Sequence, residues 1–199
     1  MVRTCVMVSG GGTNLQAIID ARDAGRLPHA ELSLVIASRE DAYAIKRAEK
    51  AGIPWQVVRK TRDLTPEQYG EGLLEVLRAN AIEVIVLAGF LTILPDNVIR
   101  AYDHRILNIH PSLIPSFCGK GYYGLRVHEA ALERGVKLTG ATVHFVNEIP
   151  DGGDIIAQKA VAVEAGDTPE TLQRRIMEQA EWLLLPAALE QVAQDLCRP

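Results

Sequence analysis

Short runs rich in Val, Ile and Leu recur along this chain, each followed by a longer stretch with helical spacing. That rhythm leaves few folds open. Strands are expected at Thr4–Val8, Leu32–Ala37, Trp55–Val58, Glu83–Ala88, Ile106–His110, Ala141–Val146 and Ile155–Val163. Helices are expected at Asn14–Ala24, Ala42–Ala51, Pro66–Ala79, Pro95–Tyr102, Val127–Arg134 and Pro169–Asp195. Leu73, Leu74, Val76 and Leu77 give one apolar helix face, whereas Val84-Ile85-Val86-Leu87 is apolar on both sides, as a central strand covered by helices must be. The pattern predicts an α/β fold with a largely parallel twisted sheet flanked by helices. After His110 the strands follow one another with only Ile149-Pro150-Asp151-Gly152-Gly153 between the last two, which predicts an antiparallel addition in the C-terminal half. No repeat or linker interrupts the chain, so a single domain over 1–199 is expected.

Composition narrows the function classes. A chain of 199 residues that is 48% hydrophobic and 23% charged can bury a core without disulfides or metal. Cys5, Cys118 and Cys197 show no paired spacing, which points to a reducing compartment and away from a zinc site. A net charge of −4 is unsuited to nucleic acid, although a few backbone amides can still hold an anionic small molecule. The apolar run after Met1 stops at Ser9, too soon for a signal peptide, and nothing approaches a membrane span. A cytoplasmic protein with neither membrane nor nucleic-acid partner is expected; oligomeric state is not legible here.

The first strand runs into Ser9-Gly10-Gly11-Gly12-Thr13-Asn14, and a helix begins at once. Glycines permit close backbone approach and the free amides of a helix N-terminus favour an anion. The dinucleotide fingerprint fails, because Leu15 stands where its third glycine belongs, and the Lys-Ser/Thr ending of an ATP phosphate loop is missing. A monophosphate cradle and a plain turn capped by Thr13 or Asn14 both fit this loop.

A second cluster lies in Asn108-Ile109-His110-Pro111. Residues two apart on a strand share a face, and ligands of open α/β sheets bind at the carboxyl ends of strands. Asn108 can donate to a developing oxyanion, and His110 can hold or relay a proton near neutral pH. Asp151, in Asp151-Gly152-Gly153-Asp154, is the carboxylate that would raise the pKa of His110 and stabilise its imidazolium, or it simply starts a turn. His144 and His128 fit packed core positions better than chemistry, and Cys118 has no evident base partner.

Taken together, Ser9-Gly10-Gly11-Gly12-Thr13-Asn14-Leu15-Gln16-Ala17-Ile18, Leu87-Ala88-Gly89-Phe90, Asn108-Ile109-His110-Pro111-Ser112-Leu113, Thr142-Val143-His144-Phe145-Val146 and Asp151-Gly152-Gly153 resemble the glycinamide ribonucleotide formyltransferases over nearly the whole chain. The resemblance implies a Rossmann-like portion over about 1–102 that binds the ribonucleotide phosphate. A second portion, about 103–199, would complete the catalytic and folate site. It assigns catalysis to Asn108, His110 and Asp151, and ribonucleotide binding to Gly12, Thr13, Asn14 and Glu181. Folate binding falls to Leu91, Thr92, Ile93, Leu94, Asn108, Asn147, Glu148, Ile149, Pro150 and Asp151. It implies direct, metal-free transfer of a formyl group from 10-formyltetrahydrofolate to the amine of glycinamide ribonucleotide. A formyltetrahydrofolate hydrolase, another folate-dependent formyltransferase and a non-catalytic nucleotide sensor are the competing readings. Thr92 stands where many relatives carry Arg, and the Gly119-Lys120-Gly121-Tyr122-Tyr123-Gly124 loop is longer than in several of them.

Overall fold

Seven strands form one sheet in the order β3-β2-β1-β4-β5-β6-β7 in a computed structural model that describes residues 1–198. The strands are β1 Val2–Val8, β2 Ala30–Ala37, β3 Trp55–Val57, β4 Val84–Leu87, β5 Ile106–His110, β6 Leu138–Phe145 and β7 Ile155–Ala162. β1 to β5 pair in parallel, while β6 is antiparallel to both β5 and β7. The expected Rossmann-like α/β architecture with its antiparallel C-terminal addition is therefore present. Every expected strand and helix exists, with ends displaced by a few residues; β6 begins three residues before its expected start.

Seven helices cover the two faces: α1 Thr13–Asp23, α2 Ala44–Lys50, α3 Pro66–Ala79, α4 Asp96–Ala101, α5 Leu125–Arg134, α6 Pro169–Ile176 and α7 Trp182–Cys197. Alternation along the buried strands divides the core in two. Val84 and Val86 of β4 pack in a cluster with Leu15, Ile18 and Leu189, whereas Ile85 and Leu87 join Tyr69, Leu73 and Leu77 of α3. The start of α3 is fixed locally. Thr65 accepts from the Gln68 amide, the Gln68 side chain accepts from the Thr65 amide, and Pro66 occupies the first turn where no donor is needed.

The strand order places the chain reversal between β1 and β4, and the loops leaving these two strands diverge there to open a crevice. One departure matters for function. The helix expected to run unbroken over Pro169–Asp195 contains a π turn, Met177–Glu181, in which the Trp182 amide reaches back five residues to the Met177 carbonyl. Such turns accommodate one extra residue within a helix. Among the described residues, no helix is long and apolar enough to cross a membrane.

Candidate active site

The crevice is bounded by the first loop. Gly12 caps α1 with φ +69°, a left-handed conformation, and a Cβ there would lie 2.6 Å from the Cβ of Ala44. Conformation and space both require glycine. No side chain caps α1, so neither Thr13 nor Asn14 plays the capping role open to it in the sequence; both are already helical. The Asn14 amide instead donates to the Glu181 carboxylate at 2.7 Å. Side-chain bonds tie the loop to its neighbours. Ser9 Oγ accepts from the Leu91 amide at 2.9 Å and from Ser38 Oγ at 2.8 Å. The amides of α1 ahead of Gln16, whose own amide bonds to the Gly12 carbonyl at 2.9 Å, are the free donors of a helix start, the arrangement that favours an anion.

At the end of β5, Leu107 and Ile109 point into one half of the core, while Asn108 and His110 share the opposite face with Ile106. The antiparallel register sets Asn108 opposite His144 and His110 opposite Thr142. Asn108 Nδ2 lies 3.1 Å from His144 Nε2, and His144 Nδ1 lies 2.7 Å from the Phe145 carbonyl. A carbonyl only accepts, so the neutral His144 ring carries its proton on Nδ1 and receives the Asn108 amide at Nε2. By the same logic His110 Nε2–H donates to the Phe117 carbonyl at 2.8 Å and leaves Nδ1 facing Asp151.

Asp151 sits between the two imidazoles. Its carboxylate oxygens lie 3.6 Å from His110 Nδ1 and 3.6 Å from His144 Nε2, and one of them accepts from the Gly119 amide at 2.8 Å. Its φ of +55° is uncommon outside glycine, and the loop that imposes it is pressed against β6. A Cβ on Gly153 would lie 1.9 Å from the Phe145 carbonyl oxygen. Gly153 therefore lets the loop close directly onto the backbone of β6.

Burial dominates the electrostatics. It lowers the pKa of His110, and neither Asp151 nor the Phe117 carbonyl outweighs it. The imidazolium expected from the sequence is thus not the resting form: Asp151 acts in the foreseen direction, but desolvation wins. For Asp151 the balance reverses. Burial raises its pKa, yet the facing His144 ring, the Gly119 amide and His110 together hold it below the ordinary carboxylate value. Glu181, 7% exposed, is pushed up by burial against a smaller opposing effect of Asn14.

Two cavities meet at this cluster. One, of about 620 Å³, is walled by Leu87, Leu94, Ile99 and Val146. Leu91, Ile93 and Ile149 stand on its rim 70%, 78% and 66% exposed, an apolar surface that a ligand would cover. All ten residues assigned to folate line this cavity: Leu91, Thr92, Ile93, Leu94, Asn108, Asn147, Glu148, Ile149, Pro150 and Asp151. The other, of about 760 Å³, brings Thr13, Asn14, Asn108, His110, Asp151 and Glu181 together, whereas Gly12 does not line it. Asn108, Asp151 and Tyr123 line both.

Sequence reasoning placed His144 in the core. Although 2% exposed, it touches Asn108 and Asp151 and belongs to the site. The signal that could have found it is the pairing register of β5 with β6. His128 is buried as expected, and its ring nitrogens have no partner. Burial, then Asp151, raises the Cys118 thiol, in keeping with no nucleophilic role. Among the described residues no group of three His, Cys, Asp or Glu side chains is arranged to hold a metal ion.

Comparison with known proteins accounts for this geometry. The family model described as formyl transferase matches residues 2–189. The chain belongs to the formyl transferase family. It is 42% identical over 192 residues to the trifunctional purine biosynthetic protein adenosine-3 of Gallus gallus, covering 96% of this chain but only 18% of that protein. It is 38% identical to the phosphoribosylglycinamide formyltransferase of Haemophilus influenzae, covering 96% of this chain and 86% of the relative. The crystal structure of glycinamide ribonucleotide transformylase 1 from Symbiobacterium toebii superposes with a TM-score of 0.91 at 40% identity, covering 98% and 89% of the two chains. In this member of the family the Gly119–Gly124 loop supplies the amide that holds Asp151, and Thr92 lies on the wall of the apolar cavity.

Proposed function

We propose that this formyl transferase moves the formyl group of 10-formyltetrahydrofolate onto the amine of glycinamide ribonucleotide, in purine synthesis and in the cytoplasm. The observation that carries the reading is the junction of the two cavities at Asn108 and Asp151, with His110 on the wall of the second beside them. An apolar cleft suits a pterin. The second cavity, which brings Thr13 and Asn14 at the start of α1 together with Glu181, suits a phosphorylated amine, and the groups between them suit chemistry at a carbonyl. The names of the relatives agree with it. On this reading residues 1–199 act as one domain, with about 1–102 supplying the phosphate loop and about 103–199 completing the catalytic and folate site.

Thr13, Asn14 and the turn set by Gly12 hold the ribonucleotide, with Glu181 beside Asn14. Leu91–Leu94 and Asn147–Asp151 hold the folate. Holding both reactants at one junction supplies orientation, which accounts for a large part of the rate. The amine attacks the formyl carbon, and the Asn108 amide donates to the oxygen as it gains charge. The nitrogen loses a proton to Nδ1 of neutral His110, whose new charge Asp151 stabilises. That proton then goes to the folate nitrogen as its bond to the formyl carbon breaks. No covalent enzyme intermediate and no metal takes part.

Single-turnover transfer with glycinamide ribonucleotide, water and initiator tRNA as competing acceptors tests the assignment. Formyl appearing on the ribonucleotide is the expected result. Formate release alone, or label on tRNA, would replace this reading by a hydrolase or by another formyltransferase.

A further inference from the structure

The rim of the apolar cavity carries three exposed charged side chains, Asp96, Lys120 and Glu148. None of the three is in an ion pair among the described residues. A further carboxylate on the cavity wall, Asp151, is already engaged by two histidines and the Gly119 amide. Among the described residues Lys120 is thus the one lysine or arginine lining this cavity, beside carboxylates that would repel an anionic ligand. Its position is fixed by the chain: it follows Gly119, whose amide is bonded to Asp151, in a loop where Gly119 and Gly121 take left-handed φ of +86° and +95°.

A reduced folate is a neutral pterin and an aryl amine joined to a glutamate tail, so its charge lies at one end. Its apolar part matches the walls of the cavity and its anionic part has one cation to meet. We propose that Lys120 is a specificity-determining residue that captures the tail carboxylates of the folate, a role that rests on the proposed function above. The ammonium is exposed, so the contact is modest and sensitive to salt.

The test is calorimetric binding of two probes, tetrahydrofolate and the tail-less methylamide of tetrahydropteroate, at low and high salt. Lys120→Ala is expected to weaken tetrahydrofolate binding about threefold and Lys120→Glu about tenfold at low salt, with both effects shrinking at high salt. Lys120→Arg keeps the affinity, and the tail-less probe binds all variants alike. Equal losses for both probes, or no loss for tetrahydrofolate, would overturn the assignment. Neither probe depends on turnover. Absence of formyl transfer in the unsubstituted protein would therefore sink the proposed reaction and leave Lys120 to be judged by binding.

Discussion

Replacing Gly12 by alanine introduces one methyl group and two separable penalties. The φ of +69° costs an L side chain about 1–2 kcal/mol. The new Cβ lies 2.6 Å from Ala44 Cβ, roughly 1 Å inside a comfortable carbon–carbon contact, and overpacking of this kind costs about 1–3 kcal/mol. The sum, about 2–5 kcal/mol, is a large share of the roughly 5–15 kcal/mol that holds a domain folded. Denaturant unfolding of four proteins separates the two parts: the unsubstituted chain, Gly12→Ala, Ala44→Gly and the double variant. Ala44→Gly removes the 2.6 Å contact but neither the 3.0 Å approach to the Cα of residue 44 nor the backbone strain, so the cycle should show a favourable coupling of about 1–3 kcal/mol. The same variants probe the anion cradle, because relieving the clash displaces the amides of the first turn. Ribonucleotide affinity should fall in Gly12→Ala and recover partly in the double variant, with folate affinity unchanged. Zero coupling would refute the contact argument. Normal ribonucleotide affinity with collapsed folate affinity would show that the loop serves the other ligand.

At the central cluster, His110→Ala and Asp151→Asn should lower single-turnover transfer at saturating ligands by about 100- to 10,000-fold, with little change in affinity; near-normal rates in folded variants would dismiss the assignment. NMR titration of His110 in Asp151→Asn should show a further fall in its pKa, since the one nearby anion that opposes burial is gone. His144→Ala removes the acceptor that orients the Asn108 amide and should slow transfer about tenfold at unchanged ribonucleotide affinity, and an unaltered rate would return His144 to a packing role. Burial lowers the pKa of His128 from 6.5 to about 4, so the unfolded chain binds the extra proton and stability falls as pH drops through 6.5 towards 4. Between pH 7 and 5 this one group should cost about 2 kcal/mol. Denaturant unfolding at the two pH values should show the loss diminished in His128→Phe, and an identical loss in that variant would reject the assignment.

What the chain determines by itself is local. Apolar runs on both faces marked β4 as a covered strand, Pro66 opened the stretch that forms α3, and spacing by two put Asn108 and His110 on one face. Each depends on residues within a turn or a strand of one another, so periodicity and capping suffice to read them. The segments that line the apolar cavity were likewise legible, because each is contiguous in sequence.

Only the tertiary structure decided what depends on pairing across long separations. His144 looks like a core histidine until the antiparallel register sets it opposite Asn108, 36 residues away. Glu181 reaches Asn14, 167 residues away, from a π turn that no periodicity reveals. The protonation of His110 was misjudged for a related reason. The sequence shows that a carboxylate exists to charge the ring, but not how completely the fold removes the ring from water. Desolvation is a sum over everything packed around a group, and that sum exists only once the chain has closed on itself.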